Sequence, residues 1–196
     1  MFADELIKEG LELIRSNQDH DLRVGFRCKL LSSLDDLGNG QRRRTELAVL
    51  TIEKVLPIWE SVLPTDYTPK EALNLAKQFL DDRIAPEAVE IEIGRLWVHC
   101  DDLSCRFSEK QSEIMVGYGA VQAIREALSP RHFGCEGVTK DSTDMDVDPY
   151  DHDSAFCAMI AYSNGPVWAD CSDSKKRLEF WTWWLMSGVR TIFNTE

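Results

Sequence analysis

The sequence predicts an all-α fold, a single-domain bundle of about eight helices with one long acidic loop. Apolar residues recur every three or four positions along most of the chain, as they do in helices with one buried face. The period-two alternation of a half-buried strand is rare. No internal repeat, low-complexity tract or linker interrupts the 196 residues, so we expect residues 1–196 to form one domain.

Eight stretches carry the helical period, and several begin or end at a recognisable signal. Pro69 and Pro86 suit the first turn of a helix, whereas Pro130 ends one. Pro57 lies inside the third stretch, so we expect a kink or a restart there. The stretches are residues 3–16, 22–37 and 42–63, those beginning at Thr68, Pro86 and Ser108, and residues 152–163 and 173–192.

Two of these stretches carry a packing signal. Gly117 and Gly119 resemble half of a phosphate-binding loop, but no strand precedes them, so close packing of helices is the better interpretation. The last stretch is apolar around much of its circumference and includes Trp181, Trp183 and Trp184. We expect it to be central to the core, with an aromatic face exposed to a partner as the alternative.

Charge and composition exclude several classes of partner. The chain has 22 Lys and Arg residues against 34 Asp and Glu residues, a formal charge of −12. Nucleic acid and anionic lipid both require a basic face, so neither is expected to bind. No apolar run approaches the roughly 20 residues of a membrane span, and the acidic start of the chain does not resemble a signal peptide. We therefore expect a cytoplasmic protein in which all six cysteines are free thiols.

The most informative feature is a cluster of aspartates over residues 141–153. It overlaps the end of residues 129–151, which lack periodicity and predict a long loop. Three interpretations stay open: a solvated loop, a cation site, and a docking surface for a basic partner. Asp144-x-Asp146-x-Asp148 imitates the first half of a calcium loop, but Pro149 and Ala155 stand where that loop has glycine and glutamate. The cluster comprises Asp141, Asp144, Asp146, Asp148, Asp151 and Asp153.

Residues that could support metal or acid–base chemistry are scattered. His99, Cys100 and Cys105 could ligate zinc, but His99 and Cys100 fall within a helical stripe and no second ligand pair follows. Signatures of nucleophilic, kinase or di-iron sites are absent, although any cysteine could pair with His132 or His152. We expect no catalytic residue, metal or cofactor. The alternative is an enzyme whose carboxylates and histidines meet in a helical cavity.

Three aromatic and helical stretches carry a family resemblance. The first is Ala48-x3-Ile52-x3-Leu56-Pro57-x-Trp59-Glu60, the second runs from Asp148-Pro149-Tyr150 to Gly165, and the third runs from Trp168 to Leu185. Together they resemble the Imm5 family, predicted immunity proteins of bacterial polymorphic-toxin systems, over roughly residues 40–190. The resemblance implies a mostly helical protein that binds and neutralises a cognate toxin.

The acidic cluster and the resemblance together predict a toxin-binding surface. Many antibacterial toxins are nucleases with basic active sites, which an acidic protein can occupy. Charge would speed capture, and buried aromatic rings would slow release. A helical interaction module unrelated to toxins is a further alternative, and the two aromatic anchors could also simply pack against the last helix. The predicted partner-binding residues are Asp144, Asp146, Asp148 and Asp151 for capture, and Tyr150 and Trp168 as anchors.

Overall fold

The computed structural model describes residues 2–195 and confirms the all-α single domain. These residues are 73% helical and contain no strand, and every helix among them is too short or too polar to span a membrane. The last of the eight helices, α8, joins three consecutive segments: Ser174–Trp183, a π-helical turn at Trp184–Val189, and Arg190–Asn194. The other helices are α1 (Phe2–Ser16), α2 (Val24–Asp35), α3 (Gly40–Val62), α4 (Thr68–Leu80), α5 (Pro86–Arg106), α6 (Gln111–Leu128) and α7 (Ser154–Ser163).

Helix α6 lies at the centre of the bundle and packs against α3, α4, α5 and α7. Its glycines let these neighbours approach closely. A Cβ atom at Gly117 would lie 2.8 Å from both the Sγ atom of Cys100 and the ring of Trp59. One at Gly119 would lie 2.6 Å from the side chain of Ile52. The packing role predicted for the two glycines is confirmed.

Helix α8 is a core helix, as its apolar circumference predicts. Asp173 caps its start by accepting hydrogen bonds from two backbone N–H groups of the first turn, at 2.9 and 3.1 Å. Trp181 and Trp184 are buried and meet edge to face, with ring centroids 5.6 Å apart. The indole N–H of Trp184 donates to the Oγ1 atom of Thr51 at 3.0 Å, so this buried donor is satisfied.

Helix α3 runs through Pro57 without a restart, so of the expected kink or restart only the kink stays a prediction. The proline removes one backbone donor, but burial of the surrounding apolar face favours a continuous helix. Ile52, Val55 and Trp59 of that face are fully buried. The indole of Trp59 also donates to the carbonyl oxygen of Asp66 at 2.9 Å, which ties the end of α3 to the turn before α4.

The expectation of six free thiols is wrong. Cys28 on α2 and Cys135 in the loop after α6 form a disulfide, with Cα atoms 5.8 Å apart and 107 residues of sequence separation. The loop crosses α2 closely because Gly25 carries no side chain: a Cβ atom there would overlap the backbone of Thr139 and Lys140. Because of this disulfide, the cysteines no longer support the expectation of a reducing compartment. The free cysteines are Cys100, Cys105, Cys157 and Cys171.

Candidate partner-binding surface

Arg27, on α2, is a fully buried cation that holds part of the aspartate cluster inside the protein. Its guanidinium forms ion pairs with Asp144 and, at 2.8 Å, with Asp153. It also donates to the carbonyl oxygen of Leu22 at 2.7 Å. Asp144, predicted for toxin capture, is only 2% exposed and neutralises an internal charge instead. It therefore does not belong to the exposed surface.

Asp153 is an ionised carboxylate in the interior. Burial raises its pKa, but the charges of Arg27 and His132 and the hydrogen bonds from Arg27 and the backbone of Phe156 outweigh burial, so the pKa lies below its ordinary value. Its Oδ1 atom accepts from the Phe156 N–H at 2.7 Å and caps α7. This carboxylate therefore fixes the point at which the loop enters the core.

The other predicted aspartates lie on a short turn, residues 146–151, which we call the acidic ridge. Helix α6 holds its backbone, because the side-chain amide of Gln122 donates to the carbonyl oxygen of Tyr150 at 2.7 Å and Arg125 donates to the same oxygen. Arg125 also pairs with Asp151, with 3.0 Å between Nη2 and Oδ1. The charge of Asp151 is thus partly neutralised within the chain.

Asp146 and Asp148 are exposed, and neither forms an ion pair with a lysine or arginine among residues 2–195. Oδ2 of Asp146 accepts from the backbone N–H and the hydroxyl of Thr143 at 2.8 and 2.9 Å, and these hydrogen bonds lower its pKa. Oδ1 of Asp148 accepts from the Tyr150 N–H at 2.9 Å. Both carboxylates are therefore held in place by their own turn and face solvent.

An acidic groove of about 750 Å³ lies on one side of the ridge. Asp146, Asp148 and Asp151 line it together with the exposed side chain of Glu136. The groove thus combines four carboxylates, and only that of Asp151 has a cationic partner within the described chain. Clustered carboxylates of this kind attract a basic surface.

An aromatic groove of about 400 Å³ lies on the other side of the ridge, and both predicted anchors line it. Tyr150 is 61% exposed and stacks on Trp97 of α5, with ring centroids 5.1 Å apart. Trp168 is 47% exposed and stacks on Phe156 of α7 at 5.9 Å. These stacking partners belong to α5 and α7 rather than to the last helix. The turn thereby directs its carboxylates into one groove and its tyrosine into the other.

Sequence reasoning missed the residues that form the far wall of the aromatic groove. Trp97 and Asp101 are four residues apart on α5, a spacing that places them on one face of the helix. The hydroxyl of Tyr118 donates to Oδ1 of Asp101 at 2.6 Å. Burial and this hydrogen bond raise the pKa of Tyr118. The groove therefore carries a fixed carboxylate beside its aromatic rings.

The metal interpretations of the sequence find no support at the residues that suggested them. Asp144 pairs with Arg27, and Asp146 accepts hydrogen bonds from its own turn, so the Asp144-x-Asp146-x-Asp148 pattern does not converge on a calcium ion. Nε2 of His99 lies 2.7 Å from Oδ2 of Asp66, and Cys100 is buried between helices. His99 and Cys100 therefore contribute to the fold.

Comparison with protein-family models gives a match to the family described as Immunity protein Imm5, over residues 7–191. The chain belongs to the Imm5 family. The match is longer than the resemblance read from the sequence and includes the acidic ridge and both grooves of this Imm5 protein. The family indicates an immunity function toward a toxin. No curated protein matches the Imm5 chain.

Proposed function

We propose that this protein binds and neutralises a cognate bacterial toxin with a basic surface, such as a nuclease, through the acidic ridge and its two grooves. The observation that carries the proposal is the division of residues 146–151: Asp146, Asp148 and Asp151 line the acidic groove, whereas Tyr150 lines the aromatic groove. A partner that covers the ridge would therefore meet charge and aromatic surface in one contact. Family membership supplies the class of partner.

The acidic groove accounts for capture. Exposed carboxylates that act together raise the rate of encounter with a basic surface by about 10- to 1,000-fold at low salt. The Debye length is about 8 Å at physiological ionic strength, so this attraction acts mainly at the last approach. Because their own turn fixes Asp146 and Asp148, little side-chain entropy remains to be lost when the toxin binds.

The aromatic groove accounts for retention. Tyr150 and Trp168 are large, partly exposed rings that a partner can desolvate, and such residues dominate the energy of many interfaces. The rings of Trp97 and Tyr150 next to the carboxylate of Asp101 suit the side chain of an arginine or lysine, by cation–π contact and charge pairing. We therefore propose that the toxin inserts one basic side chain here.

We expect the adjacent gene to encode the toxin, and the function is tested by growth of bacteria that express this toxin together with the protein. We expect the wild-type protein to restore growth and to copurify with the toxin in a one-to-one complex. The double variant Asp146→Asn/Asp148→Asn should protect less well, because capture is slower. Glu87→Gln/Glu90→Gln is the matched control, since it removes two exposed carboxylates of α5 outside both grooves.

A second pair of variants tests the aromatic groove. Trp168→Ala should weaken protection, whereas Ile91→Ala, which truncates an exposed apolar residue outside both grooves, should not. If the wild-type protein neither protects nor binds the adjacent toxin, the proposed function is wrong. If it protects and none of the ridge or groove variants differs from its control, the toxin binds elsewhere on the molecule.

A further inference from the structure

The disulfide has a histidine beside it, and the three side chains form a candidate metal site. The sulfur atoms of Cys28 and Cys135 and a ring nitrogen of His132 all lie within 4.8 Å of one another. This is a cluster of soft and borderline ligands of the type that zinc prefers. His132 and Cys135 are three residues apart in the loop, and α2 supplies Cys28 from the other side.

The surroundings of His132 resemble the outer shell of a zinc site. Nδ1 of His132 lies 2.6 Å from Oε2 of Glu126, so this ring nitrogen already contacts a carboxylate. Nε2 is then the ring nitrogen left for a metal. Arg44 holds Glu126 in turn, with 2.5 Å between Nε and Oε1. A carboxylate on the far nitrogen fixes the tautomer and orientation of a ligating histidine in the same way.

We propose that, once the disulfide is reduced, Cys28, Cys135 and His132 bind one zinc ion, with water in the fourth position. Reduction by a dithiol adds two electrons and two protons to the two sulfur atoms, while the dithiol becomes a disulfide. Zinc then binds as the two thiols lose their protons, so the site holds two thiolates and a neutral imidazole. The two Cα atoms are 5.8 Å apart, so both sulfur atoms are close enough to bind the same metal ion.

The consequence is that the loop stays attached to α2 in either redox state. In an oxidising solution the disulfide closes the connection across 107 residues, and in a reducing one the metal replaces it. The same loop leads directly into the acidic ridge, and His132 itself lines the acidic groove. The zinc site would therefore preserve the geometry of the ridge where disulfides are reduced. This inference rests on the side-chain cluster and not on the proposed toxin.

The site is tested by titrating cobalt(II), a spectroscopic substitute for zinc, into protein reduced with a phosphine under anaerobic conditions. We expect one equivalent to bind, with a sulfur-to-cobalt charge-transfer band and the visible bands of a tetrahedral ion, and zinc to displace it. Cys135→Ser should abolish the charge-transfer band, and His132→Gln should weaken affinity at least tenfold. Cys105→Ser, at an exposed free cysteine, should behave as wild type.

Thiol alkylation of the wild-type protein provides a second test that does not depend on the folding of a variant. With zinc present, the reduced Cys28 and Cys135 should react at least tenfold more slowly, whereas the exposed Cys105 and Cys171 should react at the same rate. The proposal is overturned if the reduced, helical protein takes up no stoichiometric metal. It is also overturned if zinc does not protect Cys28 and Cys135.

Discussion

Replacing Arg27 by methionine should destabilise the protein strongly, because it leaves two buried carboxylates without their cation. The arginine side chain is fully buried, and the side chains of Asp144 and Asp153 are 2% and 7% exposed. The guanidinium carbon of Arg27 lies 5.6 Å and 5.5 Å from the ring centroids of Phe156 and Trp181, and methionine keeps part of the apolar stem while it removes this charged group. Removing one partner of a buried ion pair costs about 3–5 kcal/mol.

That loss is a large part of the roughly 5–15 kcal/mol by which a domain of this kind is stable. Urea denaturation followed by tryptophan fluorescence should show a midpoint lower by about 1–2.5 M, given slopes of about 2–3 kcal/mol/M. Arg95→Met is the matched control, since Arg95 pairs with Glu92 and Glu71 while its side chain is 55% exposed. Surface pairs contribute about 0–1 kcal/mol, so the control should change little.

The pH dependence separates the charge effect from a packing effect. Without Arg27, burial would raise the pKa of Asp153 above its unfolded value, so the variant would gain stability as this group becomes protonated. The difference from wild type should therefore be smaller at pH 5 than at pH 7. The reasoning is refuted if Arg27→Met loses no more stability than Arg95→Met, or if the loss is equal at both pH values.

Further predictions concern the loop and its attachment. Cys135→Ser should lower the free energy of unfolding by about 2–4 kcal/mol in oxidising, metal-free buffer, because the disulfide closes a loop of more than 100 residues. The control Cys105→Ser should match wild type. Equal stability of the two variants would contradict this prediction. Gly25→Ala should lower the free energy of unfolding, measured by urea denaturation, by about 1–3 kcal/mol, because its Cβ would overlap the loop backbone. Gly94→Ala has open space around it in α5 and should raise the free energy of unfolding by about 0.5–1 kcal/mol. A change of the same sign in both variants would refute the close approach of the loop to α2. Asp153→Asn should reduce stability at pH 7, and its deficit relative to wild type should shrink below about pH 4. The lowered pKa of Asp153 gives a stabilisation that is present above the unfolded pKa of about 3.9 and is lost as pH falls through the folded pKa. A deficit independent of pH would contradict the ion pair.

The helices could be predicted because their signals are local. The three-and-four spacing of apolar residues depends only on neighbours within one or two turns, and all eight stretches became helices. The same spacing identified α8 as a core helix, and Trp181 and Trp184 are buried. The continuity of α3 through Pro57 could not be predicted, because it depends on the burial of α3 against its neighbours and not on a local signal.

The orientation of the aspartates could not be predicted, because it depends on a residue far away in the sequence. Asp144 and Asp146 are two positions apart, yet Asp144 turns toward Arg27, 117 residues earlier, while Asp146 faces solvent. One signal was available: Arg27 lies among the apolar residues of α2, between Phe26 and Leu30, where a buried cation needs a carboxylate.

The disulfide and the far wall of the aromatic groove could not be predicted either, because both depend on contacts between residues far apart in the sequence. The irregular spacing of the cysteines gave no indication of which pair would meet across 107 residues. Tyr150 and Trp168 were chosen because they lie near the acidic cluster, and both line the aromatic groove. Trp97 and Asp101 lie on a helix remote in sequence, and only the packing of α5 against α6 brings them to the ridge.

The most direct test of the central claim is the rate at which the toxin of the adjacent gene associates with this protein, measured by stopped-flow fluorescence at low and high salt. For wild type, we expect fast association that slows steeply as salt increases. Asp146→Asn/Asp148→Asn should associate roughly tenfold more slowly at low salt and depend less on salt, with little change in dissociation. An association rate that equals the wild-type rate at low salt would contradict the assignment of the acidic ridge to toxin capture.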